Sequence, residues 1–573
     1  MKKLLTVIAI CTMIFCTGCS KQAEVGTVEA SVIAQKYAPE NSVALLRFSS
    51  VEKLFATFNV KPESVMGEPV NDDRSEITEV LGFDPMNIAE YDKKGFDTKR
   101  EFGLVVSGFK ADSADAENSQ INLGFLLPVK DKNSAYKYIK ETLEKNNENG
   151  LVITDNNGML SITKPEEQNF LMTIKPDDNY MVFSFSLNSK ETAEIYFNAP
   201  KHLADSPNYK EIAGSLNLTS DIAFYTDLRR FFNDNALALN NLTSENPLFQ
   251  QSELGSVEFL KFYRGFGTAA DLSKSDLVIN AVSFIDAENP FNKLIGNIKT
   301  DKSVILDFEK KPAVLLAIMI NAAEYLNFYL ETVPADVRNE FESSIAETNQ
   351  ALGIDIRKDL IDQLAGSINL GIYDGAGVNM MQYNTVLNFN IRDRQSFIAM
   401  IEKTKATTGI TQIDQSQYEQ LFQIQPAGDI NVYSIFMGIA AAYIVIEKDN
   451  VSLITTKDMV SDLLNKSNPR SIDKADKAIA EKLKNDQNYL FIDFAESYLA
   501  GKNLYQMYLG FSGGENVLDA KADNFASNFD YLYAGGDYKG EKATAEFIVK
   551  TKFKKPFFVA LQEEWNKLKA APQ

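Results

Sequence analysis

Short apolar runs alternate along this chain with segments whose apolar residues are spaced four apart. Residues 43–48 and 121–129 are apolar or alternate between apolar and polar positions, which is typical of β-strands. Ala135, Ile139 and Leu143 follow at helical spacing, with charged residues between them. This spacing predicts an α-helix with one buried face, so strands and amphipathic helices share the chain.

The connections between the predicted strands are short. Asn156, Asn157 and Gly158 separate the apolar segments 151–154 and 159–163, and these residue types tolerate the positive φ angles of a tight hairpin turn. Predicted strands outnumber predicted helices, and hairpins join them. We therefore predict an α+β fold with mainly antiparallel sheets and helices packed on one face of each sheet.

Several short motifs recur in the same order about 262–272 residues apart. Each match is weak alone, but six matches in order at a similar spacing indicate an internal duplication. The matched segments are 43–48 with 314–319, 81–84 with 352–355, 129–134 with 391–396, 222–227 with 489–493, 266–271 with 534–537, and 289–291 with 555–557.

The duplication sets the predicted domain organisation. We predict two homologous α+β copies, at residues 40–300 and 301–565. Residues 1–18 are predicted to be a signal peptide and 19–39 a tether, while 566–573 form a C-terminal tail. A repeat of this length corresponds to a duplicated domain and not to a solenoid.

The N-terminus has the pattern of an export signal. Lys2 and Lys3 precede an apolar run at 4–15, which has the length of a signal-peptide core and is too short to span a bilayer. Thr17-Gly18-Cys19 follows, and this arrangement resembles the lipobox of bacterial lipoproteins. The usual leucine of that motif is replaced by Cys16. An ordinary secretory signal with an incidental cysteine is the alternative.

The lipobox resemblance implies that Cys19 is lipidated after the preceding peptide is removed. Several acyl chains on one residue hold a protein stably at a membrane without a transmembrane helix. Ser20 follows the cysteine, and by analogy with enterobacterial lipoproteins this favours the outer membrane over the inner membrane. The other cysteines, Cys11 and Cys16, lie in the predicted signal peptide, so the mature chain would hold no free thiol for catalysis, disulfides or metal binding.

The charge excludes one class of partner. The chain has 58 Lys and Arg against 78 Asp and Glu, a formal net charge of −20. Removing Lys2 and Lys3 with the signal peptide makes the mature charge −22. Such a surface repels phosphate, so we expect no nucleic-acid partner.

Few residues offer catalytic or metal-binding chemistry. His202 is the only histidine, which excludes a His-rich metal site, and we expect its side chain to face solvent. Ser512 lies in a Gly-x-Ser-x-Gly sequence, but Gly513 and Gly514 begin a helix poorly, so a flexible turn is the favoured interpretation over a nucleophile elbow. We therefore predict no catalytic residue, no metal site and no cofactor.

Several aspartates recur in both copies, and each has a structural interpretation. Four of them precede amphipathic segments and are predicted helix caps, namely Asp84, Asp131, Asp355 and Asp393. Asp227 and Asp493 follow apolar strands and are expected to pair with basic neighbours. A pair of carboxylates in a glycosidase-like cleft is the functional alternative.

The repeat motifs and the pattern of elements resemble large bacterial lipoproteins whose domains have no assigned function. That resemblance implies no activity. The leading hypothesis is a lipid-anchored, non-enzymatic envelope protein with a structural or interaction role. It would contact the membrane through its lipid and could bind a protein partner. The second hypothesis is a periplasmic carrier of lipid or another apolar ligand, since Phe-rich strands could line a cavity. A hydrolase is the third.

Overall fold

The computed structural model of the protein describes most of the chain from Ala34 onward. Residues 1–33, with Cys19, lie outside the described residues, as does Asp84. The described ranges are 34–58, 87–111, 119–145, 151–165, 167–235, 262–289, 291–295, 303–333, 335–374, 384–424, 428–437, 440–465, 470–512 and 520–569.

The first half of the described chain contributes ten strands. They are β1 (Ala44–Phe48), β2 (Phe102–Lys110), β3 (Gln120–Pro128), β4 (Val152–Asn156), β5 (Met159–Lys164), β6 (Glu167–Pro176), β7 (Tyr180–Leu187), β8 (Ile222–Thr226), β9 (Tyr263–Ala270) and β10 (Leu277–Ile285).

The second half contributes ten more. They are β11 (Pro312–Ile320), β12 (Leu364–Tyr373), β13 (Asn384–Ile391), β14 (Ile410–Ile413), β15 (Ile430–Met437), β16 (Ala440–Glu447), β17 (Asn450–Ile454), β18 (Asn488–Asp493), β19 (Phe529–Lys539) and β20 (Lys542–Thr551).

Helices connect the strands in both halves. In the described residues they are α1 (Val51–Phe58), α2 (Ile88–Lys93), α3 (Lys132–Lys145), α4 (Glu194–Asn198), α5 (Pro207–Ala213), α6 (Phe291–Ile295), α7 (Ser303–Leu306), α8 (Ala322–Thr332), α9 (Ala335–Leu352), α10 (Arg394–Thr408), α11 (Tyr418–Phe422), α12 (Lys457–Leu464), α13 (Lys477–Asn485), α14 (Phe494–Ser512), α15 (Ala520–Ala526) and α16 (Phe557–Lys569).

The same strand order occurs twice. In the first half the strands lie side by side as β4-β5-β6-β7-β3-β2-β1-β8-β9-β10, and every pairing is antiparallel. In the second half the order is β14-β15-β16-β17-β13-β12-β11-β18-β19-β20, also antiparallel throughout. Each strand of the first half thus has an equivalent in the second half whose number is higher by ten, for example β1 and β11. The boundaries assigned to the two copies stay a prediction.

The two halves join through β10 and β20, which pair antiparallel and make one sheet of twenty described strands. Asn280 pairs with Glu546 at the centre of this junction. These two residues occupy equivalent positions in the two copies. The residue before Asn280 is Ile279, which pairs with Ala270 in β9, and the residue before Glu546 is Ala545, which pairs with Gly536 at the equivalent position of β19. The junction therefore has the register of a two-fold symmetric interface within one chain.

The strand register corrects one sequence match. Ala44 pairs with Thr226, the residue immediately before Asp227. Val314 pairs with Ile492, the residue immediately before Asp493, which is the equivalent of Asp227. Residue 44 is therefore equivalent to 314, one position away from the match of 43–48 with 314–319. The distinction matters because a one-residue slip would move every side chain of the strand to the opposite face.

Both faces of the sheet are covered in places by helices. Val182 packs in a cluster with Ile212 of α5, whereas its neighbour Met181 faces the other way and packs in a cluster with Ala135 of α3. The predicted α+β class with antiparallel pairing is confirmed. The helices contact both faces and not one, because alternate residues of the central strands are apolar on both sides.

Local turn and cap predictions are also confirmed. Asn157 and Gly158 have φ angles of 53° and 83° in the β4–β5 turn. Asp131 accepts hydrogen bonds from the backbone of Asn133 and Ser134 at the start of α3. Asp393 caps α10 in the same way. Asp355 accepts from the backbone N–H of residue 358 at the start of a single π-helical turn, Ile356–Leu360.

Candidate functional site

An apolar cavity of about 700 Å³ lies on one face of the sheet, where the two halves meet. Its floor is formed by β10, β20, β19, β18 and β11, and its roof by α6 from the first half and α8 from the second. A volume of this size falls within the range of small-molecule sites, roughly 300–1,000 Å³.

The floor consists of alternate residues on the central strands. Ala281 pairs with Ala545, and Phe547 pairs with Ala534, so their side chains share one face of the sheet. Leu490 pairs with Ala534 and continues the same row toward β11. The period-two alternation of these strands therefore places only aliphatic and aromatic side chains on this part of the floor.

The roof is held by contacts between its two helices. The backbone N–H of Asn321 donates to the carbonyl oxygen of Leu294 at 2.8 Å, which ties the start of α8 to α6. The Asn321 side chain accepts from the backbone N–H of Glu324 and so caps α8. Leu294 and Phe328 line the cavity from these two helices.

The residues that line the cavity differ strongly in exposure. Ala281 is 4%, Leu294 6% and Tyr538 8% exposed. By contrast, Ile318 on β11 is 42% and Tyr325 on α8 is 38% exposed, although both line the same cavity. Ile318 and Tyr325 therefore mark the mouth.

The polar groups at the buried end bind one another. Tyr538 on β19 donates its hydroxyl proton to the side-chain oxygen of Asn292 at 2.9 Å and accepts from the Asn289 amide at 2.9 Å. Glu546 lies beside the floor, but its carboxylate pairs with Lys482 of α13, on the other side of the sheet. The buried end consequently holds no described charge directed into the cavity.

A buried polar cluster lies under the floor, on the opposite face of the sheet. The Tyr533 hydroxyl donates to the carboxylate of Asp486, and both side chains belong to fully buried residues. Burial, together with the nearby Asp486 charge, raises the pKa of Tyr533 far above its ordinary value. Tyr533 therefore stays protonated at neutral pH and keeps this hydrogen bond.

Comparison of equivalent positions shows how the second half leaves room for the cavity. Equivalent floor positions are Phe48 and Ile318, Phe224 and Leu490, and Phe266 and Leu532, as the strand registers require. The first half thus carries three rings where the second carries smaller aliphatic side chains. The rings of Phe224 and Phe266 lie 6.4 Å apart, centroid to centroid.

Other residues singled out in the sequence lie away from this cavity. Ser512 is the last residue of helix α14, so no strand precedes it as a nucleophile elbow would require. His202 is half-buried and not solvent-facing, because its backbone pairs with Pro39, and its Nδ1 has no hydrogen-bond partner among the described residues. The structure does not bring Ser512 and His202 together in a catalytic arrangement.

The two strand-terminal aspartates have structural partners. Asp493 pairs with Lys311 at 2.9 Å, as expected, and accepts from the backbone N–H of Glu496 at the start of α14. Asp227 accepts from the Asn208 side chain and from the backbone of Arg230. Among the described residues, its partners are therefore an amide and a backbone group, and the expected pairing with a basic side chain is not found.

The described residues lack two further features. Within the ranges that the structure describes, no group of three or more His, Cys, Asp or Glu residues is arranged to hold a metal ion. Across the same ranges, none of the helices combines the length and apolar content needed to cross a membrane.

Comparisons with known proteins give little guidance. No protein-family model matches the chain, and no curated protein gives a significant match. Crystal form III of TP0453, a Treponema protein, matches with 11% identity over 48% of this chain and 85% of that chain, at a TM-score of 0.25. Crystal form I matches with 10% identity, 48% and 84% coverage and a TM-score of 0.23. Crystal form IV matches with 11% identity over 48% of this chain and 91% of that chain, at a TM-score of 0.23. Similarity at these scores supports no argument about this chain.

The lining residues could not be recognised from the amino-acid sequence. They are ordinary apolar positions of predicted strands, and nothing in the local pattern separates a packed strand from one that faces a cavity. The available signal was the change from Phe in the first copy to Leu or Ile in the second, as at Phe224 and Leu490 or Phe266 and Leu532. That signal becomes readable only once the register is known.

Proposed function

We propose that this protein is a non-enzymatic component of the cell envelope, anchored by lipid on Cys19, that binds an apolar ligand in the central cavity. The cavity carries this proposal. It favours the carrier hypothesis over a purely structural role, because an apolar space of about 700 Å³ inside a well-packed sheet protein has a stability cost that a scaffold does not require.

The anchor is supported by the lipobox resemblance. An anchor of this kind would keep the cavity near a source of apolar ligands. Incorporation of radiolabelled palmitate into the full-length protein, and its loss in Cys19→Ala, would test the anchor. Unchanged incorporation in Cys19→Ala would contradict it.

Ligand binding is tested best in membranes, without detergent that would compete for the cavity. Membranes containing the full-length protein would be incubated with a fatty acid that carries a diazirine in its chain and then irradiated. The amount of probe cross-linked to the purified protein is the readout. We expect saturable labelling of the wild type.

Two kinds of variant change the cavity. Ala534→Trp places an indole in the middle of the floor and should abolish labelling. The triple variant Ile318→Phe, Leu490→Phe and Leu532→Phe copies the first half into the second. Loss of contact with about two methylenes, each worth about 0.8 kcal/mol, should reduce labelling by about tenfold.

The matched control is Leu387→Phe with Leu453→Phe. These residues pair on β13 and β17, away from the cavity, and their equivalents in the first half are the paired residues Phe125 and Phe183. The control should label like the wild type. Unsaturable labelling, or equal labelling of cavity and control variants, would refute the ligand site and return the structural role to first place.

A further inference from the structure

We propose that the side-chain amide of Asn488, on β18, donates a hydrogen bond to a carbonyl oxygen of the bound ligand. The ligand is then a long apolar molecule that carries such an oxygen, and a plain hydrocarbon binds less well. This inference rests on the proposed function and adds the chemical class of the ligand. It also assigns Asn488 as a residue that determines specificity.

Asn488 is a polar residue in an apolar floor. It is partly buried, lines the cavity and lies two residues before Leu490 on the same strand. Residues two apart on a strand project from the same face of the sheet, and Leu490 belongs to the aliphatic part of the floor. The amide of Asn488 therefore lies on the cavity side of the sheet.

The amide oxygen of Asn488 has a structural partner. It accepts from the backbone N–H of Met319 on β11 at 2.7 Å, just beyond the last β11–β18 pair, Ala317 with Tyr489. Only the oxygen of a carboxamide can accept from an N–H, so this contact fixes which way the amide is turned. Among the described residues, the amide nitrogen has no hydrogen-bond partner. Its N–H donors are therefore available to a ligand.

The first half meets the same backbone requirement without an amide. Its equivalent of Met319 is Ser49, whose backbone N–H donates to the carbonyl oxygen of Asp221 at 2.8 Å. Its equivalent of Asn488 is the apolar Ile222, as the strand registers require. A main-chain carbonyl is thus sufficient at this point of the fold, and the second half carries a polar side chain where the first carries an apolar one.

The floor beside the Asn488 amide is lined by small residues. From Asn488, the row of paired residues continues through β19, β20 and β10. Its members there are Gly536, Ala545 and Ala281. None of them has a side chain larger than a methyl group, so this row is the lowest part of the floor. A ligand that lies in it reaches the amide at the β18 end.

The amide selects for an oxygen in the ligand. A hydrocarbon that covers its N–H groups removes them from water without offering an acceptor, which is unfavourable for a polar group. A ligand with a carbonyl oxygen at this point replaces the lost contact with water. A free fatty acid and an acyl ester both supply that oxygen at the end of an apolar chain.

The test uses competitors that differ in oxygen and hardly in length. Palmitic acid, methyl palmitate and octadecane, at equal mole fractions in membranes containing the full-length protein, would compete with the diazirine fatty acid. In the wild type, the ester should compete about three- to tenfold better than octadecane, the effect of one net hydrogen bond. A preference for the acid alone would identify a free fatty acid as the source of the carbonyl, and a preference for both would include acyl esters.

Two variants remove the donor in different ways. Asn488→Asp keeps an oxygen for the Met319 N–H but replaces the donor by an acceptor, and Asn488→Ile introduces the residue of the first half. In both, the preference for the oxygen-bearing competitors over octadecane should disappear. The control Leu532→Val removes apolar contact elsewhere in the lining, so it should weaken all three competitors and leave the preference unchanged.

The outcomes separate this inference from the proposed function. No competition by any of the three compounds would overturn both. Equal competition by all three in the wild type, or a preference that survives in either Asn488 variant, would overturn the role of Asn488 and leave the apolar ligand site standing. If Asn488→Ile does not fold, Asn488→Asp, which keeps the contact with Met319, decides alone.

Discussion

The first described segment of the chain is held by a buried ion pair. The Arg47 Nε donates to Glu101 at 2.7 Å, and both side chains are 8% exposed. The other oxygen of Glu101 accepts from the backbone N–H of Ala34 at 2.7 Å. Arg47 also donates to the carbonyl oxygens of Leu218 and Ser220 at 2.9 and 2.8 Å. This ion pair thus connects the first described residue with β1, with the start of β2 and with the segment that precedes β8.

Removing both charges should cost clearly less than the sum of the two single losses. Glu101→Gln retains an acceptor for Ala34 but leaves the Arg47 charge buried without its partner, and Arg47→Met leaves Glu101 in the same state. Each change should lower the free energy of unfolding by about 3–5 kcal/mol. The double variant leaves no unpaired charge, so it should lose at least about 2 kcal/mol less than the sum of the single losses.

The assay is urea unfolding followed by far-UV circular dichroism, with amide hydrogen exchange of the segment from Ala34 to Ala38 as a local readout. Exchange in this segment should rise in Arg47→Met and rise less in the double variant. Losses below about 1 kcal/mol in both single variants, or strict additivity in the double variant, would refute the reasoning, since an exposed pair behaves in that way.

Three further predictions concern other named contacts. Burial raises the pKa of the Asp221 carboxyl, but hydrogen bonds led by that from Lys53 outweigh this effect and bring the pKa to about 2. The carboxylate therefore stabilises the fold above its unfolded pKa of about 3.9, and up to about 2 kcal/mol is lost as the pH falls toward 2. In urea unfolding at several pH values, Asp221→Asn should lack this part of the pH dependence of the free energy of unfolding. An unchanged pH dependence would contradict the prediction. Asp393→Ala removes the cap of α10 and should cost about 1 kcal/mol by thermal unfolding, and no loss would contradict the cap. In Gly124→Ala, the new Cβ would lie 2.3 Å from the ring of buried Tyr196, so a loss of about 1–3 kcal/mol is expected and an unchanged melting temperature would exclude the clash.

The elements that depend on neighbouring residues were predictable. Asp131 and Asp393 cap helices because a carboxylate next to the first turn satisfies free backbone N–H groups, and this needs only local sequence. Asn157 and Gly158 form their turn for a similarly local reason. The α+β class followed from the count of such elements.

The features that depend on distant residues were not predictable. Pairings such as β3 with β7 and β1 with β8 join strands far apart in sequence, and no local pattern specifies them. The cavity depends on which side chains meet across five strands and on the roof helices above them. The match of residue 43 with 314 was also wrong by one position, and an error of that size exchanges floor residues for residues of the opposite face.

The location of the photoprobe along the wild-type chain tests the central claim most directly. After irradiation of membranes containing the full-length protein, digestion and mass spectrometry would identify the cross-linked residues. The account predicts that they lie on β10, β11 and β18 to β20 and on helices α6 and α8, around the cavity at the junction of the two halves. Cross-links spread evenly over the protein, or confined to elements that do not line the cavity, would contradict it.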